Sequence, residues 1–264
     1  MDSMLPFLVV NLIGIVAFAS GLAGAQRGRR WALAGAGLVL ALLVAKSALT
    51  QRPAWEAALF PWPWYIYLQG YWIFAIALLF FGTAIPQLPI RWNRVAMVAL
   101  SLAILAKGAF ATWWMIAPEH HGEERFADAD HHCTQSTMYT CAPTSCVCAL
   151  SYLGIPASEA EMATLCLTRT GGTTVFNTYR GLMLKLAGTD YRPRLANVSA
   201  EDLTQDGVTA VIDNPDIQHA LAVHGRGADV LVHDPLCQAP QSWSAQHLRE
   251  SFGGVAIVLE HRSP

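Results

Sequence analysis

The chain has 264 residues, of which 53% are hydrophobic and 14% are charged, and its mean hydropathy is +0.33. Residues 1–118 carry a net charge of +6 and residues 119–264 a net charge of −8, and all six cysteines and all nine histidines lie in the second part. These values exclude a single soluble domain, a disordered chain and a basic nucleic-acid-binding protein. They predict a membrane anchor, residues 1–118, followed by a globular domain.

Four apolar stretches in the anchor are each long enough to cross a membrane, which takes about 20 helical residues. They cover approximately residues 4–25, 31–49, 63–85 and 95–117. The first stretch lacks a basic start and a convincing cleavage site, which favours a retained helix over a signal peptide. The sequence therefore predicts four transmembrane helices in contact with membrane lipid.

Basic residues in two loops predict the orientation of these helices, because such loops stay in the cytoplasm. The loop after the first stretch and the loop before the last one carry Arg27, Arg29, Arg30, Arg91 and Arg94. Residues 50–62 and everything after residue 118 would then lie on the outer side of the membrane.

Residues 119–132 contain two histidine pairs and several carboxylates, which are side chains that bind divalent metals. They lack the fixed ligand spacing of a structural zinc site. We therefore expect a solvated polar linker, and we predict no metal ion and no other cofactor for the chain.

Residues 133–264 are enough for one compact core and show helices first and strands later. Helical patterns cover 142–153, about 158–167 from a capping box at Ser158, and 173–186. Short runs rich in β-formers follow at 208–212, 219–224, 230–233 and 255–259, with a helix at 243–252 before the last run. The order predicts an α+β domain with an antiparallel sheet.

Four residues of this domain form a candidate site for nucleophilic catalysis. Cys141 opens the first predicted helix, where the helix dipole favours a thiolate. A nucleophilic cysteine needs a base and a residue that orients the base. His219 begins one predicted strand and Asp234 follows the next, so the two side chains meet if these strands are antiparallel neighbours. Gln135, six residues before Cys141, could donate a hydrogen bond to an oxyanion.

The order Gln135, Cys141-Ala-Pro-Thr-Ser, His219 and Asp234-Pro resembles the bacteriocin-processing (double-glycine leader) cysteine peptidases, a branch of the papain-like superfamily. The resemblance covers essentially all of residues 133–264. It implies a bacterial protein with a papain-like fold, with Cys141 as nucleophile, His219 as base, Asp234 as the orienting residue and Gln135 as oxyanion donor. Ala142 departs from the glycine that usually follows the cysteine in that family, and the chain carries no ATPase motif.

The sequence thus predicts a cysteine peptidase of the bacterial inner membrane that cleaves peptides or proteins on the outer face. One alternative is a catalytically silent binding module that serves as an accessory subunit among other membrane-protein subunits. Another is a transferase that acts on thiol peptides through the same site. The remaining cysteines allow one or two disulfides on an oxidising side, with a connectivity that the sequence leaves open: Cys133, Cys146, Cys148, Cys166 and Cys237.

Overall fold

The structure, a computed structural model, describes residues 4–117, 119, 121–214 and 219–262. The chain divides into two compact units. One consists of Met1–Arg52 and Trp64–Pro118, and the other of Pro53–Pro63 and Glu119–Pro264. The predicted domain boundaries at residues 118 and 132 remain predictions.

The first unit is helical. It contains α1 (Met4–Gln26), α2 (Arg29–Thr50), α4 (Ile66–Gln69), α5 (Trp72–Ala84) and α6 (Arg91–Ala111). Among the described residues, three helices are long and apolar enough to span a membrane: Met4–Gln26, Arg29–Thr50 and Arg91–Met115. Helices α1 and α5 pack closely because Gly21 and Gly82 leave room for each other's backbone, as small residues do between membrane helices.

The predicted third span differs from the uninterrupted helix that its hydropathy indicated. Helices Pro63–Gln69 and Trp72–Gln87 meet at a bend of 49°, so a fourth span exists only if this bent pair crosses as one. The break includes Gly70, and glycine is the least favourable residue after proline in a helix interior. A hydropathy window averages over such a break and does not detect it.

The second unit is built on a six-stranded antiparallel sheet with the order β1-β6-β2-β3-β4-β5. This confirms the predicted antiparallel sheet and adds two strands, β1 and β5, at its edges. The strands are β1 (Tyr191–Asn197), β2 (Thr209–Asn214), β3 (His219–Gly225), β4 (Asp229–His233), β5 (Gln241–Ser244) and β6 (Val255–His261).

Helices cover both faces of the sheet. On one face, α10 (Ala200–Thr204) and α11 (Ala245–Ser251) complete a core of strand residues such as Ile212, Val223 and Val232. On the other face, α7 (Cys141–Ser151) packs against β2 and β3, and α8 (Glu159–Leu165) and α9 (Val175–Lys185) pack behind it. The short helix α3 (Pro53–Leu59) lies beside β1.

The segment predicted as a solvated linker packs on this unit instead. The N–H of Glu159 donates to the carbonyl of Arg125 (2.9 Å), and the N–H of Ala160 donates to that of Glu123 (3.0 Å). His132, at the end of the segment, is only 3% exposed. Residues 123, 124, 126 and 128–130 are exposed, as the polar composition predicts, but the backbone of the segment is bound to α8 and His132 is bound to the carbonyl of Cys237.

Candidate active site

Cys141 is the first residue of α7, directly after the N-cap residue Thr140. Its side chain is partly exposed, whereas the following residues from Ala142 to Leu150 are all buried. Pro143 in the first turn costs no hydrogen bond there, because the first N–H groups of a helix have no partner within it. The sulfur therefore lies where the N-terminal N–H groups stabilise a negative charge.

His219 and Asp234 meet at one end of the sheet. Strands β3 and β4 are antiparallel neighbours, with Ala222 opposite His233, and Asp234 directly follows β4. His219 Nε2 lies 2.6 Å from Asp234 Oδ1. The same carboxylate accepts a hydrogen bond from the N–H of Leu236 (2.9 Å), which fixes its orientation.

The side chains of Cys141 and His219 interact, because each shifts the pKa of the other, and His219 is also hydrogen-bonded through Nε2 to Asp234. Burial disfavours the charged form of His219, but its hydrogen bonds to Cys141 and Asp234 raise its pKa to about 9. Burial also disfavours the Cys141 thiolate, but the hydrogen bonds with His219 and with the backbone at Ala220 hold its pKa below the ordinary value. The directions of these shifts favour a thiolate–imidazolium pair, which is a nucleophile with an acid beside it.

A buried hydroxyl holds the nucleophile helix against the strand of the base. Ser145 Oγ donates to the carbonyl of Ala220 (3.0 Å), one residue after His219. Ser145 is fully buried on α7. This bond fixes the distance between the segment that carries Cys141 and the segment that carries His219.

Gln135 lies in the loop before α7, and its main chain joins the site. Its N–H donates to the carbonyl of Pro235 (3.0 Å), so the loop lies against the turn that follows Asp234. Its side-chain Nε2 donates to the carbonyl of Thr137 (2.8 Å), and its buried Oε1 has no partner among the described residues. The side-chain amide is thus directed at its own loop, with one N–H left to donate.

Glu159 is a buried carboxylate that the sequence pattern did not single out. It is 0% exposed and accepts hydrogen bonds from the N–H of Ser136 (2.7 Å), the N–H of Glu123 (3.1 Å) and the hydroxyl of Thr144 (3.2 Å). Burial disfavours its charge, but the hydrogen bonds from Ser136, Thr140 and Glu123 hold its pKa below the ordinary value. Glu159 therefore joins the Gln135 loop to α7.

The capping box that the sequence indicated at Ser158 is only half formed. Ser158 Oγ accepts the N–H of Glu161 (3.1 Å), but the carboxylate of Glu161 binds Lys185 (2.7 Å) instead of returning to the N-cap. The sequence pattern indicated a capping role for Ser158 and Glu161 and no role for Glu159. A buried glutamate cannot be recognised from sequence, because its hydrogen-bond donors come from distant positions of the chain.

All six cysteines are free thiols in the structure. Cys141 and Cys237 are partly exposed and the other four are buried. The disulfides that the sequence left open are therefore not formed among them. A separate buried group consists of His132, Cys148 and His233, whose metal-ligating atoms lie within 4.8 Å of one another.

A scan against protein-family models finds no match, and neither does a search of curated proteins. Among solved structures, the peptidase domain of Streptococcus ComA, a bi-functional ABC transporter involved in a quorum sensing pathway, is 22% identical, with a TM-score of 0.41. That similarity covers 49% of this chain and 97% of that chain. A double glycine motif protease from an AMS/PCAT transporter, in complex with the leader peptide, is 14% identical with a TM-score of 0.43, covering 53% and 99% respectively.

Proposed function

We propose that the protein is a membrane-anchored cysteine peptidase that cleaves a peptide or protein at the outer face of the membrane. The observation that carries this proposal is the hydrogen-bonded pair His219 and Asp234 beside Cys141, with the sulfur at a helix N-terminus and its pKa lowered by His219. The order of these residues in the sequence, which resembles that of the double-glycine leader peptidases, supports the same chemistry.

In the proposed reaction the Cys141 thiolate attacks the carbonyl carbon of the scissile amide. A C–S bond forms and the carbonyl electron pair moves to oxygen, where Gln135 and the N–H of Cys141 would donate hydrogen bonds. The C–N bond then breaks as His219 gives its proton to the leaving amine, which leaves a thioester. His219 next takes a proton from water, whose oxygen attacks the thioester and releases the acid and the thiolate. Asp234 keeps the imidazole oriented through both steps.

The helical first unit and the loop charges support the proposed location. In the part of the chain that the structure describes, three helices are apolar and long enough to span a membrane. In the proposal the bent pair supplies the fourth span, the arginine-rich loops stay in the cytoplasm of a bacterial inner membrane, and the site lies outside.

A silent binding module is the second candidate, and the conformation of Gln135 favours it. Its side-chain N–H donates to Thr137 instead of extending freely toward a substrate. If that conformation persists with substrate bound, only the second N–H of this amide remains for the oxyanion.

A cleavage assay in heavy-oxygen water tests the proposal. The purified full chain in detergent is incubated with a mixture of peptides, and products are identified by mass spectrometry. We expect new C-termini that carry the heavy oxygen, absent with Cys141→Ser and present with Cys166→Ser, which changes a buried thiol of another segment. Labelled products from Cys141→Ser would refute Cys141 as the nucleophile. Products joined to a thiol peptide would indicate the transferase. A folded wild type that cleaves nothing would favour the binding module.

A further inference from the structure

Two histidines and a cysteine from three separate segments converge in the interior of the second unit. His132 precedes the Gln135 loop, Cys148 lies on α7, and His233 ends β4. They are 3%, 0% and 0% exposed, and one ligand atom from each lies within 4.8 Å of the other two. The two imidazole rings lie face to face with centroids 5.6 Å apart.

Each histidine has one nitrogen bound to a neighbour and one without a partner. His132 Nε2 donates to the carbonyl of Cys237 (2.9 Å), so His132 Nδ1 carries a free lone pair. His233 Nε2 is hydrogen-bonded to the hydroxyl of Tyr152 (2.8 Å). Among the described residues, both Nδ1 atoms are buried without a hydrogen-bond partner. A buried polar atom without a partner costs about 1–3 kcal/mol, so two in one cluster need an explanation.

We propose that the imidazoles of His132 and His233 and the thiolate of Cys148 bind a zinc ion. The unpartnered Nδ1 atoms are the nitrogens available to such an ion. Zinc holds nitrogen and sulfur ligands at about 2.0–2.3 Å, so side-chain shifts of about 1 Å close the group around it. A water molecule would take the fourth position. The outer hydrogen bonds of the two rings match the pattern by which zinc-bound histidines are oriented.

The donor set and the nearby charge favour zinc over other ions. A thiolate with two imidazoles suits zinc or copper and does not suit magnesium or calcium, which prefer oxygen. A zinc ion with one thiolate leaves a net charge of +1. Asp128 lies beside the group, since its Oδ1 accepts the N–H of His132 (2.9 Å), and its carboxylate offsets that charge. On binding, Cys148 loses its proton to water as the S–Zn bond forms, both imidazoles bind uncharged, and no electron is transferred.

The ion would join the three segments that carry the candidate active site, a consequence that rests on the proposed function. His132 lies three residues before Gln135, Cys148 shares α7 with Cys141, and His233 directly precedes Asp234. A zinc ion bound to all three segments would fix the relative positions of the oxyanion donor, the nucleophile and the orienting carboxylate.

Metal content of the full chain tests this site. The protein in detergent is washed with a chelator, reloaded with zinc, freed of excess metal and measured by mass spectrometry of the elements. We expect one zinc ion per chain for the wild type and background levels for Cys148→Ser and for His233→Ala. The matched controls are Cys146→Ser, a buried thiol of the same helix, and His224→Ala, a histidine of the neighbouring strand outside the ligand group. The controls should keep their zinc, and zinc retained by either ligand variant would overturn the proposal.

Cobalt loading of the unmodified chain keeps the test valid if a variant fails to fold. Cobalt(II) in place of zinc should give the near-ultraviolet thiolate-to-metal charge-transfer band. A cobalt complex without that band, or a wild type that retains no metal, would overturn the proposal. Neither measurement depends on cleavage, so a chain that binds zinc but cleaves nothing would refute the peptidase and leave the zinc site standing.

Discussion

Replacement of Glu159 by alanine should destabilise the second unit more than any change of an exposed acid. The carboxylate accepts hydrogen bonds from the backbone of Ser136 and Glu123 and from the hydroxyl of Thr144. Each buried group left without a partner costs about 1–3 kcal/mol, so three of them give a loss of at least about 3 kcal/mol. At about 2–4 °C per kcal/mol for a domain near 150 residues, the melting temperature should fall by at least about 6 °C. Glu159→Gln keeps the volume and one acceptor oxygen, so it should lie between wild type and alanine.

The assay is thermal unfolding of the full chain in detergent, followed by circular dichroism. The matched control is Glu161→Ala on the same helix, which removes a partly exposed ion pair with Lys185 that is worth about 0–1 kcal/mol. Equal melting temperatures for the Glu159 and Glu161 variants would show that the buried carboxylate does not hold the loop.

The sign of the pH dependence follows from the lowered pKa of Glu159. Burial raises this pKa. The hydrogen bonds from Ser136, Thr140 and Glu123 lower it by a larger amount, so the net shift is downward. The unfolded chain then binds a proton more readily than the folded one. The stabilisation is complete above the unfolded pKa, about 4.3, and is lost as the pH falls through the folded value. Glu159→Gln should remove this part of the acid sensitivity.

Three further predictions concern the site and the membrane. The cleavage rate should show a bell-shaped pH profile. It should rise as Cys141 ionises below its ordinary pKa and fall near pH 9 as His219 loses its proton. A rate that still rises above pH 9 would contradict the ion pair. Gln135→Ala should lower the rate by about 10²–10³, as expected for one oxyanion donor, and an unchanged rate would exclude that role. Reporter fusions after residue 130 should be active outside the cytoplasm, and a cytoplasmic signal would reverse the topology.

The strands that carry the site follow from short-range pattern. β2, β3, β4 and β6 are runs of apolar and β-branched residues bounded by turn residues, and all four occur near their predicted positions. The adjacency of β3 and β4 brings His219 and Asp234 together, as antiparallel pairing predicts. Local pattern was sufficient here because one short turn joins β3 to β4, and both residues lie at the open end of that hairpin.

Other features depend on contacts that no local pattern contains. β1 includes Pro193 and two arginines, which disfavour a strand assignment, yet it is an edge strand, where proline is tolerated. The donors to Glu159 come from positions 123, 136 and 144 and are brought together only by folding. The ligand group at His132 has no zinc-site spacing, since Cys148 and His233 lie 16 and 101 residues further along the chain.

The reactivity of Cys141 toward an alkylating reagent near neutral pH tests the central claim most directly. Cys237 is an internal reference, because it is also partly exposed but burial and the carboxylate of Asp234 raise its pKa. Peptide mapping of the briefly treated full chain should show Cys141 alkylated well before Cys237, and His219→Ala should remove this preference. Equal alkylation of the two cysteines in the wild type, or a preference that survives His219→Ala, would contradict an activated nucleophile at position 141.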